Sequence, residues 1–425
     1  MTTIASIEAD WVLDSRANPT VEATVFLSDG RSAFAQTPSG ASTGRHESIE
    51  RRDANSEKFR GMGVQSAIDT VREVISPSLV GMDVAHQEAI DARMILLDGT
   101  DDRSRLGANA MVAVSAACAR AGSMARGLEL WQHLGEGRLP SLPLPMVNLF
   151  SGNKHAQGSM SIQDVLVVPV GARDLSTALE WVDDVYWSAR SLLGERSWST
   201  LVGDEGGFAS PSRSSEVALD LTVEAIIRAG RDPGTDVAIA LDIAASHMLQ
   251  PDSAYLLDEH RYAPAEIIEL IVSWTRRYPI VSIEDPLSED DWPGWCSLAD
   301  ALDPNLQLLG DDLICTHLLR LERAAEEGAA NAVLVKANQI GTLTEALAVA
   351  DRARELKMRS VVSARSGETE DDWLADLAVA SGSGQIKVGS VARSERLAKY
   401  NRLLRISRSP LAPKWAGVGG LQPTT

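Results

Sequence analysis

Six short apolar runs, each closed by a charged residue and separated from the next by a helical stretch, decide most of what this chain can fold into. They span residues 237–241, 280–283, 306–309, 332–335, 360–363 and 385–386, and the closing charges are Asp242, Glu284, Asp311, Lys336, Arg365 and Lys387. Strands that are apolar throughout, alternating with helices, belong to a parallel sheet covered on both faces. The closing charges fall at intervals of 42, 27, 25, 29 and 22 residues, close to one strand-plus-helix unit after the first. Such a series fits a β/α barrel, whose strands end at one common mouth. A single acid after a strand is ordinarily a helix cap or a surface turn. Three carboxylates followed by three cations, at this spacing, instead place six charges around one cavity.

The chain before these units reads differently. Residues 19–27 alternate apolar and polar, Ser28-Asp29-Gly30-Arg31 is a turn, and residues 32–35 begin a return strand, so a hairpin is expected. Residues 38–44 are small and polar, the composition of a mobile loop. From residue 56 to about 135 the period is helical, with an alanine-rich, buried helix over 107–126. Residues 135–145 hold Gly135, Gly137, Pro140, Pro143 and Pro145, and mark a boundary. The expected fold class is α/β: an N-terminal α+β capping domain over 1–137, an antiparallel meander plus helices, followed by a β/α (TIM-like) barrel over 138–425.

Charge narrows the partners. Lys+Arg 40 against Asp+Glu 59 leaves −19, and a field of that sign repels nucleic acid and anionic membranes. A small anionic substrate requires local cations. Cys118, Cys296 and Cys315 are far apart and form no CxxC, which argues against a disulfide framework or a zinc site and fits a reducing compartment. The first residues lack the pattern of a signal peptide, and no apolar run reaches the roughly 18 residues of a membrane span. A cytoplasmic protein is expected. Three carboxylates from different strands make a hard oxygen site suited to Mg²⁺, with no His/Cys cluster to favour a softer metal. A lysine beside a second lysine and a divalent cation has a lowered pKa, as a general base requires.

The residues at these positions carry a resemblance. Asp14-Ser15-Arg16, Pro38-Ser-Gly-Ala-Ser-Thr-Gly44, Gly203-Asp-Glu-Gly-Gly-Phe-Ala209, Ser282-Ile-Glu-Asp-Pro286, Gly310-Asp-Asp-Leu313, Lys336-Ala-Asn-Gln-Ile-Gly341, Arg365-Ser-Gly-Glu-Thr-Glu-Asp371, Gly384-Gln-Ile-Lys387 and the run from Arg393 to Asn401 closely resemble enolase, in order and over nearly the whole chain. The resemblance implies that Asp242, Glu284 and Asp311 hold one Mg²⁺ and that Ser42 helps hold a second. It implies Lys336 as the base that removes the proton alpha to a carboxylate, Lys387 as a stabiliser of the enediolate, and Glu205 as the acid toward the leaving hydroxyl. Arg365 and Ser366 would hold a phosphoryl group, with His155 and Gln163 lining the pocket. The implied partner is a small phosphorylated anion, 2-phosphoglycerate or its product phosphoenolpyruvate, and the implied assembly is a homodimer or higher homo-oligomer. Ser39, Gly40 and Gly44 read as loop geometry, Asp14 and Arg16 as a structural ion pair, Asp312 as a supporting residue or helix cap, and Trp292 and Trp295 as packing.

The chain also departs from the enolase pattern. Ala364 stands where the family has histidine before the Arg-Ser pair, and Asp164 where it has glutamate after glutamine. Asn153 and Lys154 replace a glycine and a small residue, and Ala17 replaces a glycine. Ala364 and Asp164 shorten side chains and Lys154 adds a charge, so a roomier pocket with an extra cation is expected. That suggests a specialised paralogue, resembling the carboxyphosphonoenolpyruvate synthases of phosphonate antibiotic pathways. Ordinary enolase is the alternative. A non-catalytic binding protein on the same fold is the second, and the retained ring of charges argues against it.

Overall fold

The structure, a computed structural model, describes residues 1–41 and 43–422. Three antiparallel strands, β1 (Ile4–Leu13), β2 (Pro19–Leu27) and β3 (Ser32–Gln36), form a meander in that order. The alternation seen in the sequence is the cause: Val21, Ala23, Val25 and Leu27 turn to one face and are buried. The expected turn closes the hairpin, with Leu27 N donating to Arg31 O at 2.8 Å and Gly30 at φ 87°. Helix α1 (Ala108–Arg126) packs on β2 and β3. Its alanines let it approach closely, and it stops at Gly127, whose left-handed φ of 66° caps the last turn.

Eight strands then close a barrel: β4 (Leu144–Ser151), β5 (Asp164–Val168), β6 (Ala238–Asp242), β7 (Ile280–Glu284), β8 (Gln307–Gly310), β9 (Ala332–Val335), β10 (Arg359–Ser363) and β11 (Gln385–Lys387). Each pairs with the next, and β11 pairs back onto β4. All are parallel except β5, which runs antiparallel to β4 and β6. The six strands read from the sequence are present. Strands β4 and β5 were missed, the first because it starts inside the proline-rich stretch, the second because its orientation puts its charged residue first.

The barrel interior explains why charges collect at the mouth. Side chains alternate inward and outward along a strand. An apolar cluster that includes Met146, Leu166, Ala238, Ala240, Leu309, Ala332, Leu334 and Val361 fills the inside. Continuing each inward series by two residues gives Asp242 after Ala240, Asp311 after Leu309, Lys336 after Leu334 and, two further steps on, Arg365 after Val361. A polar layer forms part of the same stack: Gln307 Nε2 donates to Ser282 Oγ at 3.0 Å and to Gln385 Oε1 at 3.2 Å. Ser282 precedes Glu284 and Gln385 precedes Lys387 on the same inward face. On the reversed β5, Leu166 leads back to Asp164, which lies in register with Asp242.

The N-terminal residues meet the barrel at this mouth. Ser39 and Gly367 exchange backbone hydrogen bonds of 2.7 and 2.8 Å, and Ala41 N donates to Ser366 Oγ at 2.7 Å. Asp14 does not pair with Arg16 as an isolated couple. Its carboxylate accepts from the Arg16 and Asn18 amides, turning the chain, while the Arg16 guanidinium reaches Asp204 at 3.1 Å. Trp292 and Trp295 are buried, with Trp295 Nε1 donating to Ser288 O.

Two departures from glycine acquire a physical meaning. Ala17 sits at φ 58° and Asn153 at φ 41°, both in the left-handed region. Asparagine tolerates this conformation, whereas alanine is disfavoured there by about 1 kcal/mol. Ala17→Gly is therefore expected to raise stability by about 1 kcal/mol, read as a higher urea midpoint with unchanged slope. A lower midpoint would contradict it.

Candidate active site

The strand ends bring the predicted residues together. His155, Gln163, Glu205, Asp242, Lys336, Ala364, Arg365, Ser366 and Lys387 line one cavity. Lys387 Nζ lies between two carboxylates, 2.6 Å from Asp242 Oδ2 and 2.7 Å from Glu284 Oε2. Lys336 Nζ is bound to Asp311 Oδ2, and Gln339 Nε2 holds the other Asp311 oxygen at 2.8 Å. Across the cavity, His155 Nδ1 meets Asp164 Oδ2 at 2.8 Å, and its Nε2 faces Glu205 Oε1 at 3.6 Å. Arg365 extends inward and is held by Glu47 through two contacts of 2.9 and 3.2 Å.

Both parts of the chain match family models on this framework: the enolase N-terminal domain over residues 4–134 and the enolase C-terminal TIM barrel domain over residues 140–417. The chain belongs to the enolase family. It is an enolase-superfamily enzyme by that membership, and no helix among the described residues is long and apolar enough to cross a membrane.

The electrostatics are those of excess buried negative charge. Burial and the neighbouring Asp242 push the Glu284 carboxyl well above its ordinary range. Burial and the adjacent Asp312 and Asp311 do the same to Asp285, and Asp312 itself is pushed up to about 8 by burial and Asp311. Burial works against the charged form of Lys387, but Asp242 and Glu284 outweigh it and hold the ammonium firmly protonated. The expectation of a lowered Lys336 pKa is not met. Burial acts in that direction, but the attraction of Asp311 is stronger and raises it.

The donor set fits the hard divalent cation typical of the family. Asp242, Glu284 and Asp311 stand on adjacent strand ends with carboxylates nearly out of solvent. Gln163 Oε1, beside Asp242, is buried with no partner. The carboxylate oxygens do not converge on one another, because the two ammonium groups stand among them. Among the described residues, the groups whose ligand atoms come within 4.8 Å are instead His155/Asp164/Glu205 and Asp285/Asp311/Asp312. Ser42 lies outside the described residues.

The roomier pocket expected from the departures is absent. The cavity leaves about 20 Å³ of water-accessible room, enough for about one water. Asp164 does not form an open wall: fully buried, it spends its two oxygens on His155 and on Ser151 Oγ at 2.7 Å. Ala364 lines the cavity, but Arg365 and the loop carrying Ala41 occupy the mouth. Lys154 is exposed and outside the lining, where its charge acts on His247.

Several supporting residues escaped the sequence reading. Glu47 binds Arg365 from 318 positions away, a separation that no local pattern signals. Asn338 Oδ1 accepts from Arg365 at 2.9 Å, and Asn148 Nδ2 donates to Glu205 at 3.0 Å. Asp285 accepts from the Asp311 and Asp312 amides at 2.9 and 2.8 Å, fixing the carboxylate loop from below. The inward parity of Asn148, two residues beyond Met146, was a usable signal.

The His155 environment makes a pH-dependent prediction. Burial alone lowers the imidazole pKa, but Asp164 and then Glu205 raise it to about 9, so His155 carries its proton at neutral pH. Asp164→Asn removes the stronger acidic partner. The titration midpoint of the His155 Cε1–H resonance should fall by about one unit or more, and the ring should become largely neutral in weakly alkaline buffer. An unchanged midpoint would show that Asp164 does not set it.

Proposed function

We propose that this chain abstracts the proton alpha to the carboxylate of a 2-phosphoglycerate-type acid and expels the adjacent hydroxyl, forming an enolpyruvate product. The observation that carries this reading is the polarity of the cavity: two buried ammonium groups on one side and a His155–Glu205 acid pair on the other. In this reading, Lys336 takes the C–H proton after its ion pair with Asp311 is broken and its ammonium has released its own proton to water. Lys387 faces the negative charge that builds on the carboxylate as the enediolate forms, where a preorganised cation counts most. Although burial acts the other way, the His155 and Arg396 charges hold the Glu205 carboxyl below its ordinary range, so Glu205 takes the His155 proton and passes it to the departing hydroxyl, which leaves as water. Arg365 and Ser366 hold the phosphoryl group, so the substrate must replace Glu47 on the guanidinium. Mg²⁺ held by Asp242, Glu284 and Asp311, with a second involving Ser42, would neutralise those carboxylates and draw charge from the substrate carboxylate.

The finer reading is a specialised paralogue of the carboxyphosphonoenolpyruvate synthase kind, which joins an enolpyruvate unit to phosphonoformate. Ala364 supports it, since the family's imidazole is missing from the wall beside Arg365. The alternative is plain interconversion of 2-phosphoglycerate and phosphoenolpyruvate, and a cavity of about 20 Å³, which must rearrange to take either substrate, does not separate the two. Phosphorus NMR of protein, Mg²⁺ and 2-phosphoglycerate, with and without phosphonoformate, separates them. A new phosphonate ester supports the synthase, phosphoenolpyruvate alone supports ordinary enolase, and no turnover counts against both.

Lys336→Ala should lower turnover by about 10³-fold or more, as expected when a positioned base is lost, and chelation of divalent cations should abolish it. Ala364→His should shift the product toward phosphoenolpyruvate. An unchanged product distribution would remove Ala364 as the specificity determinant.

A further inference from the structure

The opposite end of the barrel holds a second concentration of unmatched polarity. Strand β10 begins there with Arg359, whose side chain is almost entirely buried, the residue being 3% exposed. Its guanidinium donates to neutral acceptors only: Asn331 Oδ1 at 3.1 Å, Asn305 O at 3.1 Å and, weakly, Leu306 O at 3.5 Å. A guanidinium has five N–H donors. Its Nε–H is buried without an acceptor. No carboxylate among the described residues forms an ion pair with it. Burial alone acts on it, lowering its pKa. A buried charge without a counter-charge is costly unless something compensates it.

Two cavities meet at this side chain. The larger, about 760 Å³, is lined by apolar groups such as Val170, Val272 and Leu302 and, in similar measure, by polar ones that include Thr275, Arg276 and Asp303. The smaller, about 240 Å³, is lined by Ser141, Ser360 and Ser383, and Ser141 Oγ is buried with no partner. The larger is of the size that takes a small molecule, with apolar and polar groups sharing its wall. Arg359, which lines both cavities, supplies a positive charge that suits an oxyanion.

We propose that the floor of the barrel is a second binding site, for a small amphiphilic anion whose carboxylate or phosphate pairs with Arg359 and whose hydrocarbon part fills the 760 Å³ cavity. The site is separate from the mouth, since Arg359 opens the strand whose far end leads to Ala364 and Arg365. The inference is independent of the reaction proposed above. A neutral molecule of the same shape would leave the arginine charge uncompensated, and a compact anion such as inorganic phosphate would leave the apolar part of the wall, Val170, Val272 and Leu302, uncovered.

Thermal unfolding of the full chain with octanoate, octyl phosphate, octanol or inorganic phosphate tests this. Octanoate, octyl phosphate or both should raise the melting temperature in a concentration-dependent way, because a ligand of the native state stabilises it by mass action. Octanol and inorganic phosphate should have markedly smaller effects. Arg359→Met should weaken binding of the effective anion by about ten-fold or more, whereas Arg365→Met, at the mouth, should leave it intact. If Arg359→Met does not fold, Val272→Trp, which enlarges an apolar residue of the wall into the cavity, should abolish binding. Equal stabilisation by octanol, retained binding in Arg359→Met or Val272→Trp, loss in Arg365→Met, or no stabilisation at millimolar anion would overturn the proposal.

Discussion

The structure depends on one electrostatic constraint: carboxylates on adjacent strand ends must share too few cations in a place with little water. Asp242, Glu284 and Asp311 meet the ammonium groups of Lys387 and Lys336, with neutral donors from Gln163 and Gln339, and Asp285 and Asp312 add two more acids. Removing one ammonium would leave its carboxylates buried and uncompensated, a loss of about 3–5 kcal/mol for a comparable buried pair. The rest of the mouth is arranged around this requirement. Asp285 adopts φ 43°, a strained conformation for a non-glycine residue, and in doing so places its oxygens on the Asp311 and Asp312 amides. Strain of this kind persists where surrounding bonds over-determine it.

Strand parity turns that constraint into architecture. The barrel core needs inward apolar residues at every second position, and the charges occupy the inward positions left once the apolar layers are complete. This is why the last strands were legible from the sequence. A run such as 332–335 is both a buried strand and a pointer, two residues beyond Leu334, to Lys336. The same logic shows why β5 was hidden. Its inward series ends at Asp164 only when the strand is read backwards, and nothing local announces that reversal.

Long-range pairing was less legible than strand order. The motif residues suggested which side chains would meet, but not which partners would hold them. Arg365 was expected on a phosphoryl group, yet here it is neutralised by Glu47 from the N-terminal part of the chain. Lys154 looked like an added cation for the pocket, and its exposed position follows from a loop turned by Asn153 in the left-handed region. Asp164 looked like a shortened wall, and its hydrogen bonds to His155 and Ser151 show that it faces away from any space gained. In each case the residue type was informative and its direction was not, because direction is set by partners, near in the chain for Asp164 and 318 positions away for Arg365, that no local pattern names.

The same contacts decide which groups can give protons and which can take them. His155, between Asp164 and Glu205, carries a proton at neutral pH, and so does Lys336 while Asp311 holds it. A site protonated on both sides is ready to donate and unready to accept. Its asymmetry lies in how the two protons are held. His155 is fixed by buried partners on both ring nitrogens, whereas Lys336 owes its proton chiefly to one carboxylate. Asp311 also accepts from Gln339, so its second oxygen is already engaged and its charge is the quantity that must be taken up elsewhere for Lys336 to become a base. After burial, Asp311 therefore acts on Lys336 more strongly than the neighbouring Arg365 and Lys387, which pull the other way.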